Sequence, residues 1–248
     1  MEILTCRLLP YVEATGAWNM AADETLLEAA VAGVASFRLY GWTEATASLG
    51  YFQPADLLRR NGALARLPWV RRPTGGQALV HHHELTYALA LPSGPRWQTS
   101  GQAGTWQKRM HGLIAAALAD LGIQLTVLPS EAEQPFDGLL CFQHPTVGDL
   151  MAGTHKLVGS AQRRRRGALL QHGGILLAGS PYTPELPGLQ ELTQRTIRTS
   201  DLSEAITGRF RLETGWRLTP VGWGNDERES VNSLVAQKYS RPEWNAKR

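Results

Sequence analysis

The clearest periodic segment of the chain runs from Thr105 to Gly122. Its apolar residues recur at the 3.6-residue spacing of a helix that buries one face. Gly122 follows them, and glycine is a common residue at the end of a helix. The pattern therefore predicts a helix over 105–122 that packs on a core through Trp106, Met110, Leu113, Ile114, Ala117, Leu118 and Leu121.

Shorter runs rich in β-branched and aromatic residues predict strands. The strands predicted in this way cover residues 36–42, 45–52, 69–72, 85–91, 157–158 and 168–177. We expect the first two to pair with each other. We expect the third and fourth to pair around the glycine-rich turn at Thr74-Gly75-Gly76, because paired strands are commonly joined through such turns.

The remaining segments complete an α+β domain. Asn19 is a predicted N-cap for a second helix, because good helix formers follow it. Residues 129–139 are acidic, contain proline and show no period, which predicts a loop. No repeat or linker divides the chain, so we predict one α/β (α+β) domain over residues 1–248, with a core of about 15–180 and a C-terminal extension, 181–248.

The composition of the chain mainly excludes certain classes of protein and kinds of site. With 43% hydrophobic and 19% charged residues, the chain has the balance of a folded protein. Its 25 basic and 22 acidic residues leave a net charge of +3, which does not favour nucleic acid as a partner. Two cysteines exclude a disulfide framework and a four-cysteine zinc site. No apolar run approaches the roughly 20 residues of a membrane span, and the N-terminus lacks a signal-peptide core, so we expect a cytoplasmic protein that binds neither membrane nor nucleic acid.

The segment RRPTGGQALVHHHELTYAL, residues 71–89, combines two arginines, adjacent glycines and three histidines. Glycines let backbone N–H groups approach a ligand, and Arg71 and Arg72 are suited to holding a carboxylate or phosphate. The alternative is a tight hairpin turn with solvated arginines and idle histidines. Neighbouring residues on a strand point to opposite faces, so histidines 81–83 are poorly spaced for one ion and we predict no metal.

Cys141 and Lys156 are the candidate nucleophile and its cationic partner. Cys141 follows the predicted acidic loop, although the apolar Leu139-Leu140 before it also fits ordinary packing. Lys156 follows a turn at Gly153, where a lysine is most often simply exposed. If the fold brings the two together, the ammonium would stabilise the Cys141 thiolate. Such a thiolate attacks thioesters to form a covalent acyl-enzyme.

Four consecutive arginines, Arg163–Arg166, form the most basic run of the chain. The usual explanation is a solvated edge strand or turn. Alternate residues of a strand face opposite sides, so at most about two of the four could serve one partner. An acidic protein partner is our hypothesis, because charges at the rim of an interface mainly raise the association rate.

Several segments together resemble the biotin/lipoate protein ligase superfamily. Within it the chain is most similar to the Cys-dependent octanoyltransferases of the LipM type, over roughly residues 15–180. The resemblance implies a mixed-sheet fold related to the catalytic modules of biotin ligases and class II aminoacyl-tRNA synthetases. The segments that carry it are NMAADETLL (19–27), FRLYGWTEATASLGYFQ (37–53), RRPTGGQALVHHHELTY (71–87), CF…P…DL from Cys141, and GTHKLVGSAQRRRRGALLQHGGILL (153–177).

The same resemblance implies an activity. The family moves an octanoyl chain from acyl carrier protein to a lysine of a lipoyl-accepting protein, which is the glycine cleavage H protein or an E2 lipoyl domain. It also implies a monomer without a cofactor. An ATP-dependent lipoate-protein ligase, which would need ATP and Mg, and an octanoyl amidotransferase between lipoyl proteins remain alternatives. We favour the transferase over the ligase, because a ligase has no need of a cysteine at position 141 and usually carries a larger C-terminal accessory domain.

Residue roles follow from the matching motifs. Cys141 matches the acyl-thioester nucleophile, and Lys156, fifteen residues later, matches the lysine before the GSAQ signature. The chain departs from the family pattern where His82 replaces an Asp, where the step from Gly153 to Lys156 is one residue longer, and where Gly174 replaces a Ser. The positions that match the lining of the acyl pocket are Arg71, Arg72, Thr74, Gly75, Gly76, His81, Gly159, Ser160, Gln162 and His172.

Overall fold

A large mixed sheet and a small three-stranded sheet form the framework of the computed structural model, which describes residues 3–97, 105–130 and 138–248. The large sheet has the order β12-β1-β3-β7-β11-β10-β9-β8, with β2 also paired to β3, and the small sheet has the order β5-β4-β6. The strands are β1 (Thr5–Leu8), β2 (Val12–Ala14), β3 (Ser36–Trp42), β4 (Thr46–Leu49), β5 (Trp69–Arg71), β6 (Leu79–His81), β7 (Glu84–Leu91), β8 (Thr126–Val127), β9 (Leu150–Ala152), β10 (His155–Arg165), β11 (Ala168–Leu176) and β12 (Arg217–Pro220).

Strand direction changes across the large sheet. Parallel pairs join β12 to β1, β1 to β3 and β2 to β3. From β3 through β7, β11, β10 and β9 to β8, every pair is antiparallel. This mixed sheet confirms the predicted fold class.

Helices cover both faces of the large sheet. They are α1 (Gly16–Val31), α2 (Asp56–Arg59), α3 (Trp106–Asp120), α4 (Leu189–Thr193), α5 (Thr199–Thr214), α6 (Asn225–Leu234) and α7 (Pro242–Asn245), and a π-helical turn, Val235–Tyr239, follows α6. On β3, Phe37 and Leu39 belong to the apolar layer of α3 and α5, whereas Tyr40 and Trp42 belong to the layer of α1 and α6. Both faces of the central strands are therefore buried, because strand side chains alternate between the faces.

The two predicted helices are both present, but one begins earlier than expected. The helix predicted over 105–122 is α3, which Thr105 caps and beyond which Gly122 has a φ of +78°. For α1 the N-cap is Thr15, so the prediction of Asn19 as the cap was wrong. Asn19 lies buried inside the helix, where its amide donates to the Gly41 carbonyl in β3 at 3.0 Å. Asn19 therefore bonds α1 to β3 and does not cap the helix.

Both predicted strand pairings were wrong, although the strands themselves exist. Strands β3 and β4 lie in different sheets, because β3 already has β1 and β2 on one edge and β7 on the other. Strand β5 pairs with β4, while β7 lies between β3 and β11. Strand β10 is also longer than the predicted residues 157–158, since it continues along β11 to Arg165.

The C-terminal segment contributes to the same core. Strand β12 extends the large sheet beside β1, and α5 packs on α3. Near the end of the chain, Asn245 accepts hydrogen bonds from the Arg71 backbone N–H at 2.9 Å and from Arg71 Nε at 3.0 Å. The loop predicted over 129–139 lies largely outside the described residues. Within the described ranges, no helix combines the length and apolar character needed to cross a bilayer.

Candidate active site

Cys141 lies at the wall of a cavity, beside the glycine-rich turn. It opens a short 3-10 turn, Cys141–Gln143, and its N–H donates to the Ala78 carbonyl at 2.8 Å. The Ala78 N–H in turn donates to the Leu139 carbonyl at 3.0 Å. Because Ala78 closely follows Gly75-Gly76, these two bonds hold the cysteine against that turn. The Cys141 residue is only partly buried.

Lys156 reaches the sulfur of Cys141 from the start of β10. Its Nζ lies 3.4 Å from Cys141 Sγ and donates to the carbonyl oxygens of Cys141 and His144, each at 3.2 Å. The ammonium also forms an ion pair with Asp149 Oδ2 at 2.7 Å, and 1% of each side chain is exposed. A charge buried to this degree requires a paired opposite charge. Asp149 therefore compensates Lys156 and fixes its position at the sulfur.

Two neighbours hold this ion pair in place. Asp149 Oδ2 also accepts hydrogen bonds from the Thr146 backbone N–H at 2.7 Å and from Thr146 Oγ1 at 2.8 Å. Gly159 leaves the space that the lysine occupies, since a Cβ at that position would lie 2.5 Å from Lys156 Cε and 3.0 Å from its Nζ. The absence of a side chain at position 159 is therefore part of the geometry that brings Lys156 to Cys141.

Arg72 is buried beneath the glycine-rich turn and is surrounded by main-chain acceptors. Its guanidinium donates to the carbonyls of Ser48 at 3.1 Å, Gly75 at 2.8 Å and Gln77 at 2.6 Å. Burial lowers the pKa of Arg72 to about 10, and the electrostatic interaction with nearby Cys141 opposes that shift. The guanidinium thus stays cationic at neutral pH. Its charge adds to that of Lys156 in stabilising an anion at the Cys141 end of the cavity.

His172 and Asp23 form a buried pair on another part of the wall. His172 Nδ1 lies 2.7 Å from Asp23 Oδ2, and His172 Nε2 lies 2.7 Å from Thr74 Oγ1. Burial lowers the pKa of His172, and the hydrogen bond to Asp23 offsets only part of this. Burial would raise the pKa of Asp23, but the charge of Arg38 and the hydrogen bond from His172 lower it overall. A neutral imidazole beside a carboxylate carries its proton on Nδ1, so Nε2 accepts from the Thr74 hydroxyl.

A second histidine, His81 in β6, also faces the cavity with a carboxylate behind it. Its Nδ1 lies 2.6 Å from Glu84 Oε1, its Nε2 lies 2.7 Å from Ser48 Oγ, and its ring stacks on Trp42. Glu84 Oε2 is buried and has no hydrogen-bond partner among the residues described. A Cβ at Gly174 would lie 3.0 Å from this oxygen. Gly174 therefore offers this oxygen no side-chain hydroxyl.

The space between these groups measures about 480 Å³ including its opening to solvent, and about 50 Å³ of it is free for the centre of a water molecule. Its wall consists largely of glycines and apolar side chains, with the polar groups described above at a few points. The lining residues are Met20, Tyr40, Arg72, Gly76, Leu79, His81, Thr86, Cys141, Phe142, Gly159, Ser160, Ala161, His172, Gly173 and Gly174.

Most of the site residues predicted from the sequence come together here. Lys156 contacts the sulfur, Thr74 bonds to His172, and Gly75 accepts from Arg72. The predicted residues that line the cavity directly are Arg72, Gly76, His81, Cys141, Gly159, Ser160 and His172.

Arg71 and Gln162, which were predicted to line the pocket, lie outside the cavity wall. Arg71 Nη1 donates to the carbonyls of Gly50 at 2.9 Å and Gln53 at 2.6 Å. Together with its bonds to Asn245, these contacts make Arg71 an anchor between the turn region and the C-terminal segment. Gln162 Nε2 donates to Gln171 Oε1 at 2.8 Å and thereby links β10 to β11.

Sequence reasoning missed the carboxylates that support the site. Asp149, Asp23 and Glu84 pair with Lys156, His172 and His81 respectively. A signal was present in each case, because all three lie beside or within apolar runs where an unpaired charge is rarely buried. Asp149 precedes Leu150-Met151, and Glu84 begins the buried strand β7.

The described residues offer no cluster of metal ligands. Within the described ranges, no group of three His, Cys, Asp or Glu side chains could hold an ion. The rings of His82 and His83 stack on each other, and His82 Nδ1 lies 3.1 Å from Ser180 Oγ. Neither ring lines the cavity at Cys141.

Known proteins resemble the chain in both sequence and fold. The family model of the lipoyl protein ligase A/B catalytic domain matches residues 15–207. Octanoyltransferase LipM of Kyrpidia tusciae is 31% identical, with 97% of this chain and 98% of that protein covered. Octanoyltransferase LipM of Bacillus subtilis is 29% identical, with 100% of both chains covered. The solved structure of a lipoate-protein ligase A bound with ATP superposes with a TM-score of 0.76 at 22% identity, covering 98% of this chain and 99% of the other, which is a likeness of fold.

Proposed function

The chain belongs to the lipoyl protein ligase A/B catalytic-domain family and is an acyltransferase of octanoyl groups in protein lipoylation, and we propose that it works through a thioester on Cys141. The proposed donor is octanoyl-acyl carrier protein, and the proposed acceptor is a lysine of the glycine cleavage H protein or of an E2 lipoyl domain. The observation that carries this proposal is the 3.4 Å distance between Cys141 Sγ and Lys156 Nζ at the wall of a largely apolar cavity.

In the first half-reaction, Cys141 attacks the carbonyl carbon of the donor thioester as a thiolate. The Lys156 ammonium and the Arg72 guanidinium stabilise the anionic sulfur and the oxyanion of the tetrahedral intermediate. The bond from the carbonyl carbon to the donor sulfur then breaks. The donor sulfur takes a proton from Lys156 and leaves as a thiol, and octanoyl remains on Cys141.

In the second half-reaction, the neutral amine of the acceptor lysine attacks the octanoyl-Cys141 thioester. A carbon–nitrogen bond forms, the bond to Cys141 breaks, and the proton released by the amine returns to Lys156. Cys141 is thereby restored as a thiolate beside an ammonium. Because a thioester is converted to an amide, the transfer is downhill and consumes no ATP.

The cavity suits the apolar part of this substrate. An octanoyl chain is stabilised by leaving water for the glycines and apolar side chains of the wall. His172 contributes an uncharged surface at neutral pH, because burial lowers its pKa. The charged groups Lys156 and Arg72 are confined to the end where the thioester reacts.

The test is to incubate the pure protein with octanoyl-acyl carrier protein, without acceptor, and to measure its intact mass. We expect one octanoyl group on the wild-type protein, located at Cys141 by peptide mapping, and none on Cys141→Ala. Addition of H protein or an E2 lipoyl domain should then move the group to the acceptor lysine. Transfer by Cys141→Ala at the wild-type rate would contradict the thioester route.

The same assay separates the related activities. Free lipoate with ATP and Mg is offered in one reaction, and octanoylated H protein is offered as donor in another. ATP consumption with free lipoate, and no adduct from the carrier, would identify a ligase. Loading from octanoylated H protein alone would identify an amidotransferase.

A further inference from the structure

Beside the cavity, three cations and two aromatic rings form a surface group that the reaction does not use. Arg163 Cζ lies 5.0 Å from the centre of the Tyr51 ring, and Lys247 Nζ lies 3.6 Å from it. Arg248 Cζ lies 5.6 Å from the Tyr51 ring centre and 5.3 Å from that of Phe52. We call Tyr51, Phe52, Arg163, Lys247 and Arg248 the rim cluster.

The two rings of the rim cluster lie against the glycine-rich turn. The Tyr51 N–H donates to the Thr74 carbonyl at 2.8 Å, and a Cβ on Gly75 would lie 3.9 Å from the Phe52 ring. The next residue, Gly76, lines the cavity. The rings therefore stand just outside one side of the cavity wall.

A second element leads from the cavity to the rim cluster. Ala161 in β10 lines the cavity, and Arg163 lies two residues further along the same strand. Residues two apart on a strand project from the same face, so Arg163 continues the cavity wall outwards. The turn and β10 thus bring the cluster to the cavity from two separate parts of the chain.

Among the residues that the structure describes, no acidic side chain balances the positive charge of the rim cluster. In the part of the chain that the structure describes, no ion pair joins Arg163, Lys247 or Arg248 to an acidic side chain. By contrast, Arg165 and Lys238 both pair with Glu24. The contacts with the rings position the cations without cancelling their charge.

The exposure of Phe52 and the pKa of Tyr51 show that the rim cluster is open to solvent and positively charged. Phe52 is 66% exposed. The hydrogen bond from Lys247 and the charges of Lys247, Arg163 and Arg248 lower the pKa of the Tyr51 hydroxyl. An anion arriving from solvent therefore meets concentrated positive charge at the side of the cavity.

We propose that the rim cluster binds the phosphate of the pantetheine-type arm that carries the octanoyl donor. The inference rests on the proposed function, in which Cys141 takes octanoyl from a thioester at the end of such an arm. The arm is uncharged between its thioester and the phosphate that joins it to the carrier. When the thioester is at Cys141, the phosphate is the first anion that follows along the arm. The cations at the side of the cavity are placed to meet it, and guanidinium and ammonium groups are the side chains that bind phosphate most strongly.

The test uses three donors that differ in one group at a time: octanoyl-acyl carrier protein, octanoyl-phosphopantetheine and octanoyl-pantetheine, which lacks the phosphate. The variant is Arg163→Gln with Lys247→Gln. The matched control, Arg164→Gln with Arg211→Gln, removes the same charge from exposed positions outside the cluster, and Arg164 projects from the opposite face of β10. Transfer is measured as kcat and KM at low and at high salt.

We expect the cluster variant to raise KM for both phosphate-bearing donors by roughly three- to tenfold, with kcat unchanged. The effect should shrink at high salt, because salt screens charges that are in contact with solvent. The octanoyl-pantetheine reaction and the control variant should be unaffected. An intact reaction with octanoyl-pantetheine also shows that the variant is folded and that its cavity is unchanged.

Three results would overturn the inference alone. The first is an unchanged KM of the cluster variant for both phosphate-bearing donors. The second is an equal rise in KM for octanoyl-pantetheine. The third is a rise in KM for octanoyl-acyl carrier protein but not for octanoyl-phosphopantetheine, which would mean that the cluster binds the protein surface of the carrier. Wild-type protein that accepts octanoyl from none of the three donors would overturn the proposed function as well.

Discussion

The two cysteines of the chain lie in regions with opposite surroundings. Cys6 in β1 is fully buried in the apolar layer that includes α3 and α5, and burial raises the pKa of its thiol to about 12. Cys141 lies in a 3-10 turn at a cavity wall, with the Lys156 ammonium 3.4 Å from its sulfur. The comparison teaches that neighbouring charge and access, rather than residue type, distinguish a packing thiol from a candidate nucleophile.

Replacing each cysteine in turn by alanine should give the largest difference in transfer rate between the two regions. Cys141→Ala removes the proposed nucleophile and should lower the rate of octanoyl transfer by roughly 10³-fold or more. Cys6→Ala should keep the transfer rate and lower the free energy of unfolding by about 1–2 kcal/mol, because it leaves a cavity in the core. Transfer assays and denaturant titrations measure the two effects. Loss of transfer in Cys6→Ala, with transfer retained in Cys141→Ala, would reverse the assignment.

Removing the Asp149 carboxylate should leave Cys141, like Cys6, without an ammonium held at its sulfur. Asp149→Asn leaves the ammonium without its carboxylate, so Lys156 is no longer held at the sulfur. Acyl-enzyme formation, followed by quenched-flow mass measurement, should slow by roughly 10²-fold. Stability should also fall by about 3–5 kcal/mol, since a buried charge loses its partner.

A surface carboxylate provides the control for this variant. Asp120 forms an exposed ion pair with Arg209, and Asp120→Asn should change neither rate nor stability measurably. Acyl-enzyme formation in Asp149→Asn at the wild-type rate would show that Lys156 does not need this carboxylate.

Gly159→Ala should lower the rate of acyl-enzyme formation less than Asp149→Asn does, because it displaces Lys156 without removing any charge. The added Cβ would overlap the flexible end of the lysine, so the fold can adapt while Nζ moves away from Cys141. We expect acyl-enzyme formation to slow roughly tenfold, because small displacements of reacting groups are costly. Gly208→Ala in α5 is the control, since no atom lies within 4 Å of its added Cβ. Equal rates for the two variants would contradict the role assigned to Gly159.

The difference between wild type and Cys6→Ala in the pH dependence of stability should report on the Cys6 thiol. This thiol has a pKa of about 12 in the folded protein, against an ordinary value of 9.0 in the unfolded chain. Between these values the unfolded chain releases a proton that the folded protein retains, so stability falls as pH rises, by about 1.4 kcal/mol per pH unit from this group. The stability gap between wild type and Cys6→Ala should therefore narrow from pH 9 upwards in urea titrations. A gap that stays constant would contradict the burial of this thiol.

The predictions made from the sequence succeeded where the information is local. The period of apolar residues located α3, and β-branched runs located β3 and β7, because burial of one face leaves its spacing in the sequence. The motifs also contain Cys141 and Lys156, which the fold brings into contact. Asn19 shows the limit of local reasoning. A good capping residue lies inside α1 because its amide has a partner, Gly41, on a strand distant in sequence.

Strand pairing and the partners of charged side chains could not be predicted from local sequence. Whether β3 pairs with β4 depends on which edges of β3 are already occupied, and those edges are taken by strands from other parts of the chain. The roles of Asp149 and Arg71 likewise depend on distant partners. Asp149 compensates Lys156, while Arg71, predicted to hold a ligand, is bonded to Gly50, Gln53 and Asn245.

From the sequence alone came the fold class, the main helices and strands, and the candidate pair Cys141 and Lys156, since periodicity and motifs are properties of contiguous residues. Only the tertiary structure decided that Cys141 and Lys156 meet with Asp149 behind them, and that Arg163 and Lys247 meet at Tyr51. The physical reason is that contact between distant residues depends on how the whole sheet and its helices pack, and no single segment contains that information.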